Sequence, residues 1–513
     1  MSKYIKFFLL AILLFPSFLL AQIKMGGNFL IPTNHWSYDY LRELRIRGYF
    51  NDLNFSIEPF FMQDVLSELN RSLLSAKGKK AEAAPSDYFF LNQIKRLLQP
   101  YVASYETQAA AFFRISTRNH FEKKANQKIW LDTLIPCGTV GFQFGPHLSA
   151  VYSALVNNHL DENPNYMGFR QSGLAAYAKE AYISYRIPNF DFLLGRSFLR
   201  WGTGYTGTLL LSDNYRPMDQ LRADFHYKWL TFSFMTASLN AFHDSTRINR
   251  YFTAHRLDIR FTKDFRFGIS EVILYGGPNM APAYSFLNPV LFYKGEVKNG
   301  PTDGNSLGSL YFDYYFKRHF HFYSEIMIDD LQLEKTGPGD LEPTEWGLLM
   351  GGEWTFMRFF MQTEYLRVTN RTYKTPYYWE RYMERNQPIG YYLGDDFDHL
   401  WFRGNYWFNS ALRLQVKAQY IRHGEGRIKT PFDTPWMNTP LGQNYHEPFP
   451  TGIVEKTKRF QVEMRWHPSK FGFLEWIVGR ESVVNFQNRL NPNYKDWYSQ
   501  LGIWFEFNHS WGF

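Results

Sequence analysis

The sequence predicts a transmembrane β-barrel of about 18 antiparallel strands that follows a small N-terminal three-helix bundle. Aromatic residues make up 19% of the 513-residue chain, whereas hydrophobic residues in total reach 45% and the mean hydropathy is -0.38. A chain that is aromatic but not hydrophobic overall suits an apolar outer band with aromatic girdles around a polar lumen. Two further observations support the barrel: a two-residue hydrophobic alternation, and connections that alternate between short turns and long polar loops.

The N-terminus is predicted to be a signal peptide for export. Lys3 and Lys6 precede an apolar stretch, and we expect cleavage before Gln22, so that residues 1–21 are removed. The alternative, an N-terminal membrane anchor, is disfavoured because the apolar stretch is short for a spanning helix. Cys137 is the only cysteine and lies far from the cleavage point, which excludes a lipid-anchored N-terminal cysteine and an intrachain disulfide.

Residues 22–105 are predicted to form an N-terminal segment with three short amphipathic helices. The first runs near Trp36 to Ile46, where apolar side chains recur at helical spacing. Ser56 is a favourable N-cap for the second helix, because an acidic residue and a proline follow it, and Ser86 caps the third. Since the N-terminus of such a barrel starts in the periplasm, we expect this bundle at the periplasmic mouth.

Residues 106–513 are predicted to form the barrel, because the hydrophobic period there changes from about 3.6 residues to about 2. The clearest strand, Leu412 to Tyr420, has apolar side chains on one face and arginine, glutamine and lysine on the other. The same alternation recurs in 255–262, 460–467 and 501–508. One half-buried strand of a soluble protein would look the same, so the prediction depends on the repetition.

Short turns and long polar loops alternate through this region. The expected short turns are Gly145-Pro146, Pro188-Asn189, a turn near Lys228, Lys263-Asp264, Lys317-Arg318, Met357-Arg358, Asn409-Ser410 and Pro468-Ser469-Lys470. The long segments between them imply roughly nine hairpins, with short periplasmic turns and long outside loops. A soluble β-sandwich or propeller also has many strands, but it does not explain this strict alternation.

The chain ends on Phe513 after an alternating strand. This ending resembles the recognition signal that the barrel-assembly machinery reads, so that machinery and the outer-membrane lipid are expected partners. We expect the last strand to pair with the strand that begins near Gln108, which closes the cylinder.

Motifs for chemistry are weak. Gly202 to Gly207 has the letters of a dinucleotide-binding motif but no β-α-β unit around it, so we expect a tight loop inside or over the lumen. The acidic pairs Asp329-Asp330 and Asp395-Asp396 are expected to be solvated loop or rim charges, because a calcium loop needs more ligands. No histidines stand at zinc-binding spacing, and nothing singles out a nucleophile with an oriented histidine. We therefore predict no catalytic, cofactor-binding or metal-binding residues and no enzymatic activity.

One long loop combines aromatic and cationic side chains that suit an acidic polysaccharide. The candidate ligand-binding residues are Arg371, Lys374, Tyr378, Trp379, Arg381, Tyr382 and Arg385. Flat aromatic faces stack on sugar rings, and guanidinium groups bind carboxylates or phosphates through two hydrogen bonds. The equal alternative is that these aromatic loops only pack on one another over the barrel mouth.

The charge of the chain agrees with an acidic partner. The formal charge is +8 and falls to +6 without the two signal lysines. Charges of both signs are interspersed and no basic run appears, which excludes nucleic acid as a partner.

Four stretches together resemble the capsule assembly protein Wzi family of outer-membrane proteins. They are Ile31 to Tyr49 with Pro59, Gly195 to Pro217, Asn305 to Asp330, and Pro388 to Asp398 with Arg422 to Gly426. The resemblance covers nearly the whole mature chain, although each motif is short. It implies an 18-stranded barrel in the bacterial outer membrane with a periplasmic helical bundle. It also implies a non-enzymatic, lectin-like role in which extracellular loops hold capsular or related surface polysaccharide.

Two other function classes remain open from the sequence. In a porin-like diffusion channel or solute transporter, the polar face of Arg413, Gln415, Lys417 and Gln419 would line a wet pore. Conductance across a planar bilayer separates this class from a plugged, polysaccharide-binding barrel. An outer-membrane lipid hydrolase or protease would need a catalytic triad at the rim, and it ranks last.

Overall fold

The computed structural model describes most of the chain with short gaps. The described residues are 28–78, 85–98, 109–124, 130–159, 166–168, 170–171, 174–243, 246–333, 338–409, 411–440 and 443–512. The predicted signal peptide, Gln108 and Phe513 lie outside the described residues. Within these ranges, no helix has both the length and the apolar character needed to cross a membrane.

The three predicted N-terminal helices are present as α1 Ser37–Ile46, α2 Met62–Gly78 and α3 Pro85–Leu98. A short helix, α4 Tyr293–Asn299, lies in a long loop. Single 3-10 turns occur at Ser285–Leu287, Pro338–Leu341, Tyr378–Glu380, Pro435–Asn438 and Phe486–Asn488.

The predicted cap of the third helix is wrong, since α3 begins at Pro85 and Ser86 lies inside it. The predicted helix start after Ser56 is also wrong. Ile57–Glu58 instead pair antiparallel with Arg200–Trp201, which belong to a loop inside the barrel. The Ser56 hydroxyl donates to Asn54 Oδ1 at 2.6 Å, and its oxygen accepts from the Arg256 guanidinium at 2.7 Å, so these partners rather than a helix N-terminus hold the side chain. The helix begins several residues later because these tertiary contacts hold the chain extended.

The barrel consists of 18 long strands. They are β1 Ala109–Lys124, β2 Trp130–Phe144, β3 Leu148–Asn157, β4 Leu174–Ile187, β5 Phe190–Ser197, β6 Met218–Tyr227, β7 Leu230–Ser238, β8 Arg247–Arg260, β9 Phe265–Pro278, β10 Asn305–Phe316, β11 Phe320–Asp330, β12 Glu345–Phe356, β13 Phe359–Val368, β14 Phe397–Trp407, β15 Leu412–His423, β16 Glu455–Ser469, β17 Gly472–Val484 and β18 Tyr494–Gly512. Two-residue strands at Arg170–Gln171 and Phe242–His243 extend the sheet, and Met383–Glu384 pair with Gln387–Pro388 in a separate hairpin.

Each strand pairs antiparallel with the next, and β18 pairs with β1 to close the cylinder, from Ala110 opposite Gly512 to Lys124 opposite Tyr498. The predicted short turns lie between consecutive strands at one end of the barrel. Asn189 and Lys228 occupy the left-handed region there, with φ of 71° and 51°. The strand number and the alternation of short and long connections are therefore confirmed.

The two faces of each strand separate as the period of 2 predicts. On β15, Arg413 and Gln415 are buried, while Leu414 is partly exposed on the other face. On β18, Leu501 and Phe505 are 45% and 44% exposed. Polar residues line the interior and apolar residues form the outer wall, because the outer wall faces lipid.

The N-terminal segment fills the lumen at the short-turn end. Asp39 of α1 accepts hydrogen bonds from Arg403 of β14 at 2.7 Å and Arg413 of β15 at 3.0 Å. Burial alone would raise the pKa of Asp39, but these guanidinium groups hold it well below its usual value. Glu58 connects Arg42 of α1, at 2.9 Å, to Arg200 of the loop after β5, at 3.0 Å. Charge pairing thus joins the helices to the inner wall.

Long loops fold into the opposite half of the lumen. An apolar core inside the barrel combines Leu209 to Leu211 with inner-wall residues such as Leu349 and Leu366. Tyr373 and Tyr391 of another loop join the same core. The described helices and loops therefore occupy much of the lumen from both ends, beside a cavity of about 680 Å³ that is lined by residues of β1–β4 and β14–β18.

Candidate functional site

The glycine-rich segment Gly202 to Gly207 is a loop inside the lumen, as its lack of helical period predicted. Glu364 of β13 accepts hydrogen bonds from the Thr206 amide at 2.9 Å and the Thr206 hydroxyl at 2.6 Å, and also binds the Tyr205 amide. Gly202 has φ of 135°, and a Cβ there would lie 2.7 Å from Glu325 Oε2. The glycine is needed because the backbone passes close to this carboxylate.

A second inward glutamate holds the next turn of the same loop. Glu325 of β11 accepts hydrogen bonds from the amides of Leu209 and Leu210, each at 3.2 Å. Carboxylates that accept backbone N–H groups in a buried site form strong, charge-assisted hydrogen bonds. The two glutamates therefore fasten the inserted loop to neighbouring parts of the wall.

Three of the seven predicted ligand-binding residues are buried and bonded to protein groups. Arg371 is 1% exposed and binds Glu447 and Asp433. Lys374 lies 3.2 Å from the buried Asp395 carboxylate. Tyr382 is fully buried, and its hydroxyl donates to the Leu210 carbonyl at 2.7 Å. For these three side chains, the structure agrees with the packing alternative.

The other four predicted residues lie partly exposed at the tip of the same loop. They are Tyr378, Trp379, Arg381 and Arg385. Tyr378 stacks on Phe242, with ring centroids 5.8 Å apart, and Trp379 stacks on Tyr377 at 5.1 Å. The Arg250 guanidinium supports this tip from below by donating to the Trp379 carbonyl at 2.6 Å. We call these four residues the loop-tip surface.

The expectation that the acidic pairs are solvated is wrong for Asp395 and Asp396, which are both fully buried, and for Asp329, which is 5% exposed and accepts a hydrogen bond from the Tyr373 amide. Asp396 accepts hydrogen bonds from the amides of Gly426 and Thr451, each at 2.9 Å. Burial raises the pKa of Asp396 even though these donors oppose it. Among the described residues, no cluster of histidine, cysteine, aspartate and glutamate is arranged to hold a metal ion. The pair joins two loops instead.

A pocket of about 340 Å³ opens at the long-loop rim of the barrel. We call it the rim pocket; its walls include Glu342, Trp346, Arg367, Asn370, Asn444, Tyr445, His446, Glu447 and Phe449. The Arg367 guanidinium lies between two rings, 3.7 Å from the Phe449 centroid and 5.4 Å from the Trp346 centroid. The pocket thus offers aromatic faces, amides and a positioned cation together.

Sequence reasoning did not find the rim pocket. Trp346 begins β12, Arg367 ends β13, and Phe449 lies in the loop before β16. Burial, together with the charge of Asp330, raises the pKa of Glu342 at its edge. The local sequence gives little indication of the pocket, because aromatic residues near strand or loop ends, such as Trp346 and Phe449, are common throughout this chain.

The geometry defines a class of protein: a transmembrane β-barrel whose lumen is largely occupied by helices and inserted loops and whose aromatic and cationic surfaces lie among its long loops. The chain belongs to the family of the capsule assembly protein Wzi, whose model matches residues 121–495. It is accordingly an outer-membrane barrel of bacteria, with the helices on the periplasmic side and the long loops outside.

A solved structure of a similar protein agrees with this fold. Escherichia coli Wzi, an outer-membrane protein involved in group 1 capsule assembly and described as a carbohydrate-binding β-barrel, has a TM-score of 0.61 at 14% sequence identity. The match covers 93% of this chain and 99% of that chain. Pseudomonas aeruginosa OprD has a TM-score of 0.45 at 8% identity, covering 79% of this chain and 97% of its own. A search of the curated proteins found no match.

Proposed function

We propose that this barrel binds capsular or related acidic surface polysaccharide through its extracellular loops and retains it at the outer membrane without altering it chemically. The observation that carries the proposal is the rim pocket, in which Arg367 is fixed between Trp346 and Phe449. Family membership agrees with it, since the E. coli relative is described as a carbohydrate-binding β-barrel.

The chemistry of the rim pocket suits an acidic sugar. Aromatic faces supply rigid apolar contact for the C–H faces of a sugar ring, and amide groups supply hydrogen bonds to hydroxyls. Arg367 is partly exposed on the wall of this pocket, so its guanidinium can be reached from outside. Because an arginine donates to carboxylates in a fixed planar geometry, this guanidinium is available for the acid group of a glycan.

The loop-tip surface extends the proposed binding site. Tyr378, Trp379, Arg381 and Arg385 are accessible, and they combine stacking faces with cations in the way an anionic chain requires. Arg371 and Lys374 support binding indirectly, because their ion pairs hold the loops in position. A polysaccharide long enough to touch both surfaces would gain affinity from simultaneous contact.

The second candidate, a diffusion channel or solute transporter, fits the largely occupied lumen less well. The loop held by Glu364 and the helices held by Arg403 and Arg413 occupy the interior from both ends. Outer-membrane lipid and the barrel-assembly machinery complete the proposed set of partners.

The test is binding of the purified full-length protein to the capsular polysaccharide of the producing strain. We expect Trp346→Ala and Phe449→Ala to weaken binding about tenfold, or about 1.4 kcal/mol. Trp466→Ala is the matched control, because Trp466 is 47% exposed on the outer wall of β16 near the periplasmic end. Equal binding by all three variants, or full retention of surface polysaccharide after deletion of the gene, would refute the proposal.

A further inference from the structure

We infer that the outer wall of β14–β17 binds one acylated sugar-phosphate lipid of the outer leaflet. A groove of about 440 Å³ runs along this wall. Its outward side chains are Leu400, Phe402, Ala418, Tyr420, Lys458, Phe460, Arg480 and Ser482, and we call it the wall groove. The inference concerns the lipid-facing wall, so it does not rest on the proposed polysaccharide binding by the loops.

Strand register explains how the groove forms. Ala418 of β15 lies opposite Phe402 of β14 on one side and Phe460 of β16 on the other. The alanine methyl between two large rings leaves a channel in the wall. Leu400 and Phe460 are 51% and 49% exposed, so these side chains point away from the lumen into the lipid. An acyl chain has the shape and polarity to fill such a channel.

Cationic side chains lie at the end of the groove nearest the extracellular loops. Lys458 lies opposite Tyr420 and Arg480 lies opposite Phe460, on the same outward face. Lys456 is one outward position further toward the extracellular loops, and it is also exposed. Lys458 Nζ is 5.6 Å from the Tyr420 ring and Arg480 Cζ is 5.4 Å from the Trp497 ring. In the portion of the structure that is described, Lys458 and Arg480 contact rings rather than carboxylates.

Along the barrel axis, these cations lie at the level of the lipid headgroups of the outer leaflet. Lys458 lies near the start of β16, which begins at Glu455, and Arg480 lies near the end of β17, which ends at Val484. Both ends adjoin extracellular loops. Charged side chains on the lipid face cost little near the interface, and basic clusters there attract anionic headgroups.

The positive charge of Lys458 and Arg480 favours a phosphorylated sugar headgroup over a zwitterionic phospholipid, whose own cation opposes it. Lys458 and Arg480 stand on adjacent strands, which are about 4.8 Å apart, and so can bind separate oxygens of one bulky headgroup. The nearby carboxylate of Asp398 is already bound to Arg422, so it does not neutralise them. A lipid with phosphate on a sugar supplies compact negative charge above several acyl chains, which fits both parts of the site.

The experiment measures binding of lipid A, an acylated glucosamine disaccharide phosphate, to the full-length barrel in detergent by native mass spectrometry. We expect the double variant K458Q/R480Q to bind at least tenfold more weakly than the unaltered protein. Dephosphorylated lipid A should show the same loss with the unaltered protein. Ala418→Trp, which fills the groove and leaves every charge in place, should also weaken binding.

The matched control is the double variant K228Q/K317Q. Lys228 and Lys317 also lie over rings, those of Tyr227 at 5.2 Å and Phe316 at 4.9 Å, but at the periplasmic turns. This control should bind lipid A like the unaltered protein. The difference in gel mobility between heated and unheated samples should show that every variant is folded. Equal binding by K458Q/R480Q, or equal binding of the dephosphorylated lipid, would overturn the inference.

Discussion

Arg371 and Glu447 are joined by two parallel hydrogen bonds of 2.7 and 3.0 Å that connect the loop after β13 to the loop before β16. The same guanidinium binds Asp433 at 2.9 Å and lies 4.9 Å from the Trp436 ring centroid. Because Arg371 is almost fully buried, its positive charge must be stabilised by these partners. The pair thereby fixes one wall of the rim pocket, to which Glu447 belongs.

Replacing Arg371 with alanine should release the loop before β16. The change leaves the partly buried Glu447 without its partner, which we expect to cost about 3 kcal/mol of stability. Limited trypsin digestion would measure this as faster cleavage after Arg427 or Lys429. Arg371→Lys, which keeps the charge but loses the planar pair, should give an intermediate rate. Cleavage at the unaltered rate in both variants would contradict the structural role.

Replacing Glu364 with alanine should loosen the loop that plugs the lumen. The partly buried amides of Tyr205 and Thr206 would lose their acceptor, and each donor left unpaired costs roughly 1 kcal/mol of stability. In planar bilayers we expect the unaltered protein to be silent and the variant to show intermittent conductance.

Glu481→Ala is the control for that measurement, because Glu481 binds Arg459 and Tyr494 rather than the plug. Steady, porin-like conductance of the unaltered protein would show that the plug does not close the lumen. Conductance equal in both variants would show that Glu364 has no special part in closing it.

The loop that carries the predicted ligand-binding residues should be more stable in mild acid. Burial, with a contribution from Asp303, raises the pKa of Glu380 to about 7, although the Thr375 hydroxyl donates to it at 2.7 Å. A carboxyl group with a raised pKa favours its protonated form in the folded loop. Its contribution to stability is therefore complete below its ordinary pKa of 4.5 and is lost as the pH rises to about 7.

Hydrogen exchange of residues 375–385, corrected for intrinsic rates, should therefore show greater protection at pH 5 than at pH 8. Glu380→Gln should reduce this difference, because an amide does not ionise. Burial also raises the pKa values of Asp395 and Asp396, and these groups supply the remaining dependence with the same sign. A pH dependence that is unchanged in Glu380→Gln would exclude this carboxyl as its source.

The loops show where sequence reasoning stops. Tyr382 and Trp379 are both aromatic residues in one polar segment, and composition treats them alike. Tyr382 is buried because its hydroxyl reaches Leu210, 172 residues away in sequence, whereas Trp379 stays at the surface. The rim pocket depends on a comparable long-range meeting of Arg367 and Phe449. No local pattern encodes such meetings, because they depend on which loops fold into the lumen and which fold over the rim.

The sequence by itself determined the barrel: the strand number, the short turns, and the face that each strand presents to lipid. These properties can be predicted because a strand between lipid and lumen must alternate apolar and polar side chains, as Leu414 and Arg413 do. Only the tertiary structure decided that helices and loops occupy much of the lumen, that Arg371 holds loops together, and that Arg367 stands in a pocket. Those outcomes depend on hydrogen bonds and ion pairs between buried polar groups that are far apart in sequence. Such groups come into contact only when the whole barrel has closed.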